Sequence, residues 1–125
     1  MNAKSIVAVA AIFLASCASI SFQNDKIADV YVADFGSEDI ERCRPSDVDL
    51  SHSGAREFFL RAREVNYEVI HDHYNYAPCY IEGTLKYKSM NCEWEIRAGA
   101  TGQIKCNQNT NYFVCDTCED LFQSK

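Results

Sequence analysis

Residues 79–106, CYIEGTLKYKSMNCEWEIRAGATGQIKC, decide the fold. Cys79, Ile81, Leu85 and Tyr87 alternate with Tyr80, Glu82, Thr84 and Lys86. After Lys88-Ser89 the alternation resumes, with Cys92, Trp94 and Ile96 against Glu93, Glu95 and Arg97. Successive side chains on a strand point to opposite faces, so this period of two predicts one covered apolar face and one open polar face. A second turn at Gly99 to Gly102 leads to Ile104 and Cys106 on the covered face, and a third within Asn107 to Asn111 leads to Tyr112 to Cys115. Three successive hairpins predict an antiparallel meander of about four strands.

Such a sheet needs a cover, and the chain supplies one upstream. From Ser51, a residue type that caps helix N-termini, to about Arg63, the apolar residues Ala55, Phe58, Phe59, Ala62 and Val65 recur at helical spacing. The remaining positions hold Arg56, Glu57, Arg61 and Glu64. Earlier still, Ile27 to Phe35 reads as a strand ended by Gly36-Ser37, and Ser37 to Arg44 as one helical turn stopped by Pro45. Leu121 and Phe122 are apolar enough to pin the C-terminus. The expected class is α+β: one main helix packed on an antiparallel meander, stabilised by disulfides.

The alternation places Cys79, Cys92 and Cys106 on the covered face. Centring the second hairpin on Gly99 sets Cys92 directly opposite Cys106, which makes that pair the preferred bridge. The same arithmetic sets Cys106 opposite Cys115, so connectivity stays open. Cys115-Asp116-Thr117-Cys118 is a CxxC, which can cycle between dithiol and disulfide or serve as a structural staple. Only seven residues follow Cys118, too few for the scaffold that continues beyond such a motif in thioredoxin-like folds.

On the open face, Glu82 and Glu95 oppose each other if the first hairpin turns at Lys88-Ser89, with Arg97 two residues away. A pair of carboxylates permits glycoside hydrolysis, whereas a Glu–Arg network is the ordinary content of an exposed sheet. Tyr67, Tyr74, Tyr76, Tyr80 and Tyr87 crowd into twenty-one residues and supply aromatic, hydrogen-bonding surface. The expected binding surface comprises Tyr74, Tyr76, Tyr80, Glu82, Glu95 and Arg97. His71-Asp72-His73 would put two imidazoles on one side of an extended segment. Two ligands do not make a metal site, and no metal or cofactor is expected.

The N-terminus carries an address. Lys4 precedes an apolar run from Ile6 to Leu14, about nine residues against the roughly 20 that a spanning helix needs. Leu14-Ala15-Ser16-Cys17 follows and resembles the lipobox of bacterial lipoprotein precursors. That resemblance implies cleavage before Cys17, a diacylglycerol on its thiol, an acyl group such as palmitate on its new amine, and, with Ala18 next, sorting to the outer membrane. Residues 1–16 would be the signal peptide, 17–26 the lipidated tether and 27–125 one periplasmic domain.

Removing residues 1–16 takes away Lys4 and no acid, moving the net charge from −6 to about −7. This argues against nucleic acid as a partner. It also leaves six of the seven cysteines, namely Cys43, Cys79, Cys92, Cys106, Cys115 and Cys118. An even count in a small exported domain reads as a disulfide framework. The blocks Cys79 to Thr84, Cys92 to Gly99 and Cys115 to Cys118 resemble stretches of uncharacterised bacterial proteins, and that likeness implies no site. The expected function is non-catalytic binding of an envelope protein partner, in the manner of an inhibitor or immunity protein. The competing expectation is a small enzyme, thiol-redox through Cys115 and Cys118 or hydrolytic through Glu82 and Glu95.

Overall fold

The structure, a computed structural model, describes residues 26–74 and 77–122. Cys17 and Tyr76 therefore lie outside the described residues. Six antiparallel strands form one sheet in the order β1-β3-β4-β5-β6-β2. They are β1 (Ile27–Ser37), β2 (Arg63–Val65), β3 (Cys79–Tyr87), β4 (Met90–Arg97), β5 (Thr101–Cys106) and β6 (Asn109–Val114). Two helices, α1 (His52–Arg61) and α2 (Tyr67–His73), and two 3-10 turns, Pro45–Asp47 and Glu119–Phe122, complete the described elements.

The α+β class is as expected, but the sheet is larger than a four-strand meander. The meander from β3 to β6 gains a strand on each side, because β1 pairs with β3 and β2 pairs with β6. β2 arises where the helical pattern was expected to continue. Ser51 caps α1 by accepting from the Gly54 amide at 3.0 Å, and the helix ends at Arg61 with Ala62 as its C-cap. Arg63 to Val65 then pair with Val114 to Tyr112. Pairing a free sheet edge satisfies more backbone groups than another half-turn of helix would.

A second difference lies just beyond. Tyr67–His73 is helical where an extended segment was expected around His71-Asp72-His73. The spacing Tyr67, Ile70, His71 and Tyr74 is itself a helical stripe, hidden by the β-type composition around it. Smaller shifts affect the turns. Thr101 and Gly102 belong to β5, Asn109 to Asn111 belong to β6, and β6 stops before Cys115.

β1 holds eleven residues against nine in β3 because it bulges twice, between Ala28 and Tyr31 and between Val32 and Asp34. Each bulge flips the side-chain phase, so two restore it, and Ile27 and Phe35 face the same way as Tyr87 and Ile81. Gly83 sits under this crossing, where a Cβ would collide with the Tyr31 carbonyl. The bulged edge is partly closed to further pairing. His52 Nδ1 accepts from the Val32 amide at 2.9 Å, and the Asp34 carboxylate accepts from the Phe35 amide at 2.8 Å.

The core forms between α1 and the covered face. Phe58 and Phe59 are fully buried; Phe59 meets Trp94 and Phe113 edge-on at 5.8 and 5.6 Å. The Trp94 indole N–H donates to the Thr84 carbonyl at 2.9 Å, so its polar atom is satisfied inside the core. Phe122 stands edge-on to Phe58 at 6.3 Å and, with Leu121, packs on the core from the C-terminal side. Three disulfides join Cys43 to Cys79, Cys92 to Cys106 and Cys115 to Cys118. Cys106 is opposite Asn109 in the β5–β6 pair, so it does not meet Cys115.

Candidate functional site

Alternation along β3 to β6 creates three transverse rows on the face that α1 leaves open. They run Tyr80–Arg97–Thr101–Val114, Glu82–Glu95–Gln103–Tyr112 and Thr84–Glu93–Lys105–Thr110. Glu82 and Glu95 are direct cross-strand partners, and Asp34 of β1 pairs with Glu82 on the other side. Three acids thus stand in line across β1, β3 and β4. Adjacent like charges repel, and what offsets them here is Arg97.

Arg97 organises this corner. Its Nε donates to Glu95 at 2.8 Å, its Nη1 donates to the Ala77 carbonyl at 2.8 Å, and Glu38 lies at 3.4 Å. The guanidinium also sits 4.8 Å from the centre of the Tyr80 ring. Four contacts to a planar, five-donor group hold it rigidly, so Glu95 and Arg97 neutralise each other within the face.

α2 walls one flank. Tyr67, Ile70, His71 and Tyr74 line a groove of about 540 Å³ whose floor is Glu95, Arg97, Thr101, Gln103 and Tyr112. The Tyr67 and Tyr112 rings are 5.3 Å apart, and Tyr67 is 53% exposed. The wall is pinned at its far end. The Tyr74 hydroxyl donates to Asp116 at 2.6 Å, and Arg63 donates to Asp116 at 3.1 Å and to the Tyr74 oxygen at 3.3 Å. Bonds from Tyr74 first and Arg63 second hold the Asp116 carboxyl below its ordinary range, and the same Asp116 contact raises the Tyr74 phenol. A second clamp ties Arg61 to Asp120 at 2.8 Å and to the Thr117 carbonyl at 2.8 Å, lowering Asp120.

The residues expected to bind fall together in part. Tyr80, Glu82, Glu95 and Arg97 share the open face, and Tyr74 stands on the groove wall. The His71-Asp72-His73 expectation of an extended segment is overturned. On a helix two residues apart means about 200° of rotation, so the imidazoles diverge, and His71 Nδ1 pairs with Asp72 at 3.1 Å. Tyr87 belongs to the core, where burial raises its phenol, with Glu64 as the smaller cause.

Cys115 and Cys118 are 3% and 0% exposed and bonded to each other. Cys43, Asp47 and Cys79 bring three ligand-type atoms within 4.8 Å of one another, but the two sulfurs are joined as a disulfide and offer no thiolate. The sequence reading missed Thr101, Gln103 and Tyr112. Their signal was the same alternation, carried two strands further on the polar side. Among the described residues no helix is long and apolar enough to cross a membrane. Compared with protein-family models, with curated proteins and with solved structures, the chain matches none.

Proposed function

We propose that this chain is an outer-membrane lipoprotein of non-catalytic binding type, held by acyl chains on Cys17 and engaging an envelope partner through the open face of its sheet. The observation that carries the binding reading is the groove between α2 and rows β4 to β6, which combines aromatic walls with a polar floor. Its charged pair, Glu95 and Arg97, is already mutually satisfied, as suits a surface that recognises rather than one that transfers protons. Burial of the Cys115–Cys118 bridge supports a structural role for the CxxC, since thiol exchange requires an attacking thiolate to reach the sulfur.

The address rests on the resemblance of Leu14-Ala15-Ser16-Cys17 to a lipobox. It agrees with the cysteine count, because assigning Cys17 to lipid leaves six cysteines that form three bridges. Two or more acyl chains, at ~0.8 kcal/mol per buried methylene, give stable anchoring.

Photo-crosslinking in cells tests the binding reading. A crosslinking residue at Gln103 or Glu82 is expected to form discrete adducts, and one at Arg56 or Glu57 on the helical side is not. Adducts from the helical side alone would overturn it. Rapid alkylation of Cys115 in the folded domain, or loss of a glycan-cleaving activity in Glu82→Gln, would instead favour an enzyme.

A further inference from the structure

The groove contains a polar atom that none of the described residues serves. Thr101 is 6% exposed, and its register opposite Arg97 and Val114 puts its side chain on the open face, at the groove floor. Among the described residues no hydrogen-bond partner serves its hydroxyl. A buried hydroxyl without a partner costs free energy that a valine of the same shape would avoid. Gln103 and the Tyr67 and Tyr112 hydroxyls, on the same groove, likewise have no protein partner among the described residues.

These groups define what the groove would take. All four are neutral donor–acceptors, while the charges beside them are satisfied, Glu95 by Arg97 and Arg97 additionally by Glu38 and the Ala77 carbonyl. An anionic ligand would find no uncommitted cation on the floor, and a wholly apolar one would bury three hydroxyls and an amide without partners. A ligand dense in hydroxyls and amides, with an apolar ring face for Tyr67 and Tyr112, satisfies both the floor and the walls. A cavity of 540 Å³ is of the size that takes a small ligand of two or three rings.

We propose that the groove between α2 and β4–β6 is a binding site for a neutral saccharide, with Thr101 and Gln103 hydrogen-bonding its hydroxyls and Tyr67 and Tyr112 packing on its ring faces. This rests on the binding reading above and names the ligand class for it.

The test is an amide NMR titration of the disulfide-intact domain with three probes: chitotriose, an oligogalacturonate of equal length, and a neutral blocked tetrapeptide. Chitotriose is expected to shift the Thr101, Gln103 and Tyr112 amides saturably, and the other two probes are not. Thr101→Val is expected to weaken chitotriose binding about fivefold while leaving the spectrum dispersed and the domain at least as stable. Tyr112→Ala tests the stacking wall and is expected to weaken it further. Binding of the tetrapeptide or the galacturonate alone, absence of binding by all three, or unchanged affinity in Thr101→Val would overturn the saccharide assignment. If crosslinks from Gln103 persist in that event, only the ligand class falls. If they are also absent, the binding reading falls with it.

Discussion

The Tyr74 hydroxyl donates a 2.6 Å hydrogen bond to the Asp116 carboxylate, tying the end of α2 to the segment that follows β6. Because Asp116 is held below its ordinary pKa, its bond contributes stability that is present above the unfolded carboxylate value near 3.8 and lost as pH falls through the lower folded value. Tyr74 is raised, so its contribution is present below the unfolded value near 10 and lost as pH climbs through the higher folded value. Asp120, lowered by Arg61, adds to the acid limb. The hydrogen-exchange protection of α2, taken relative to the intrinsic exchange rate at each pH, is therefore expected to be highest on a plateau between these limits and to fall below about pH 4 and above about pH 10. Asp116→Asn is expected to remove most of the acid limb, and an unaltered profile in that variant would contradict the assignment.

Hairpin turns offer a test of local strain. Lys88 and Ser89 have φ of 53° and 70° in the two-residue turn between β3 and β4, and Ala100 has φ of 64° before β5. Side chains with a Cβ hold such conformations at roughly 1–2 kcal/mol. Replacing Lys88-Ser89 by Asn-Gly, or Ala100 by Gly, is expected to raise stability by about 1 kcal/mol each. Urea denaturation with an unchanged slope would show it.

Gly83 has the opposite requirement. Its missing Cβ admits the Tyr31 carbonyl at the bulged crossing of β1, so Gly83→Ala is expected to cost about 3 kcal/mol. Phe59→Ala removes a fully buried ring flanked by Trp94 and Phe113 and is expected to cost 3–5 kcal/mol, by the usual range for buried aromatics. Thermal melts of both variants, compared with Thr101→Val, separate core damage from loss at the groove.

The three bridges should rank by the length of chain they close. Separations of 36, 14 and 3 residues for Cys43–Cys79, Cys92–Cys106 and Cys115–Cys118 give losses of about 4, 3 and 2 kcal/mol when each pair is replaced by serine. A reversed order in denaturant melts would show that native-state effects outweigh chain entropy.

The hairpins were legible because Cys79 to Ile96 alternate on either side of the Lys88-Ser89 turn; that register made Cys92–Cys106 the preferred bridge, but only the β5–β6 pairing, with Cys106 opposite Asn109, removes the rival Cys106–Cys115. β2 was not legible. Its Val65 fits the helical stripe begun at Ala55 and its Glu64 the polar side, and only the tertiary availability of the β6 edge ends the helix at Arg61. The α2 wall was obscured because seven residues of helix, Tyr67–His73, are too short to stand on propensity and depend on Tyr74 reaching Asp116, forty-two residues on. Half of the open face was therefore visible from sequence, namely Tyr80, Glu82, Glu95 and Arg97. The groove was not, because it exists only where that face meets a helix.

Intact mass and thiol titration of the protein from the membrane fraction test the exported, acylated, fully bridged state most directly. The predicted result is a chain beginning at Cys17, heavier by its acyl groups and lighter by six hydrogens, with no maleimide-reactive sulfur after denaturation. A chain that begins at Met1 and reacts at all seven cysteines would contradict it.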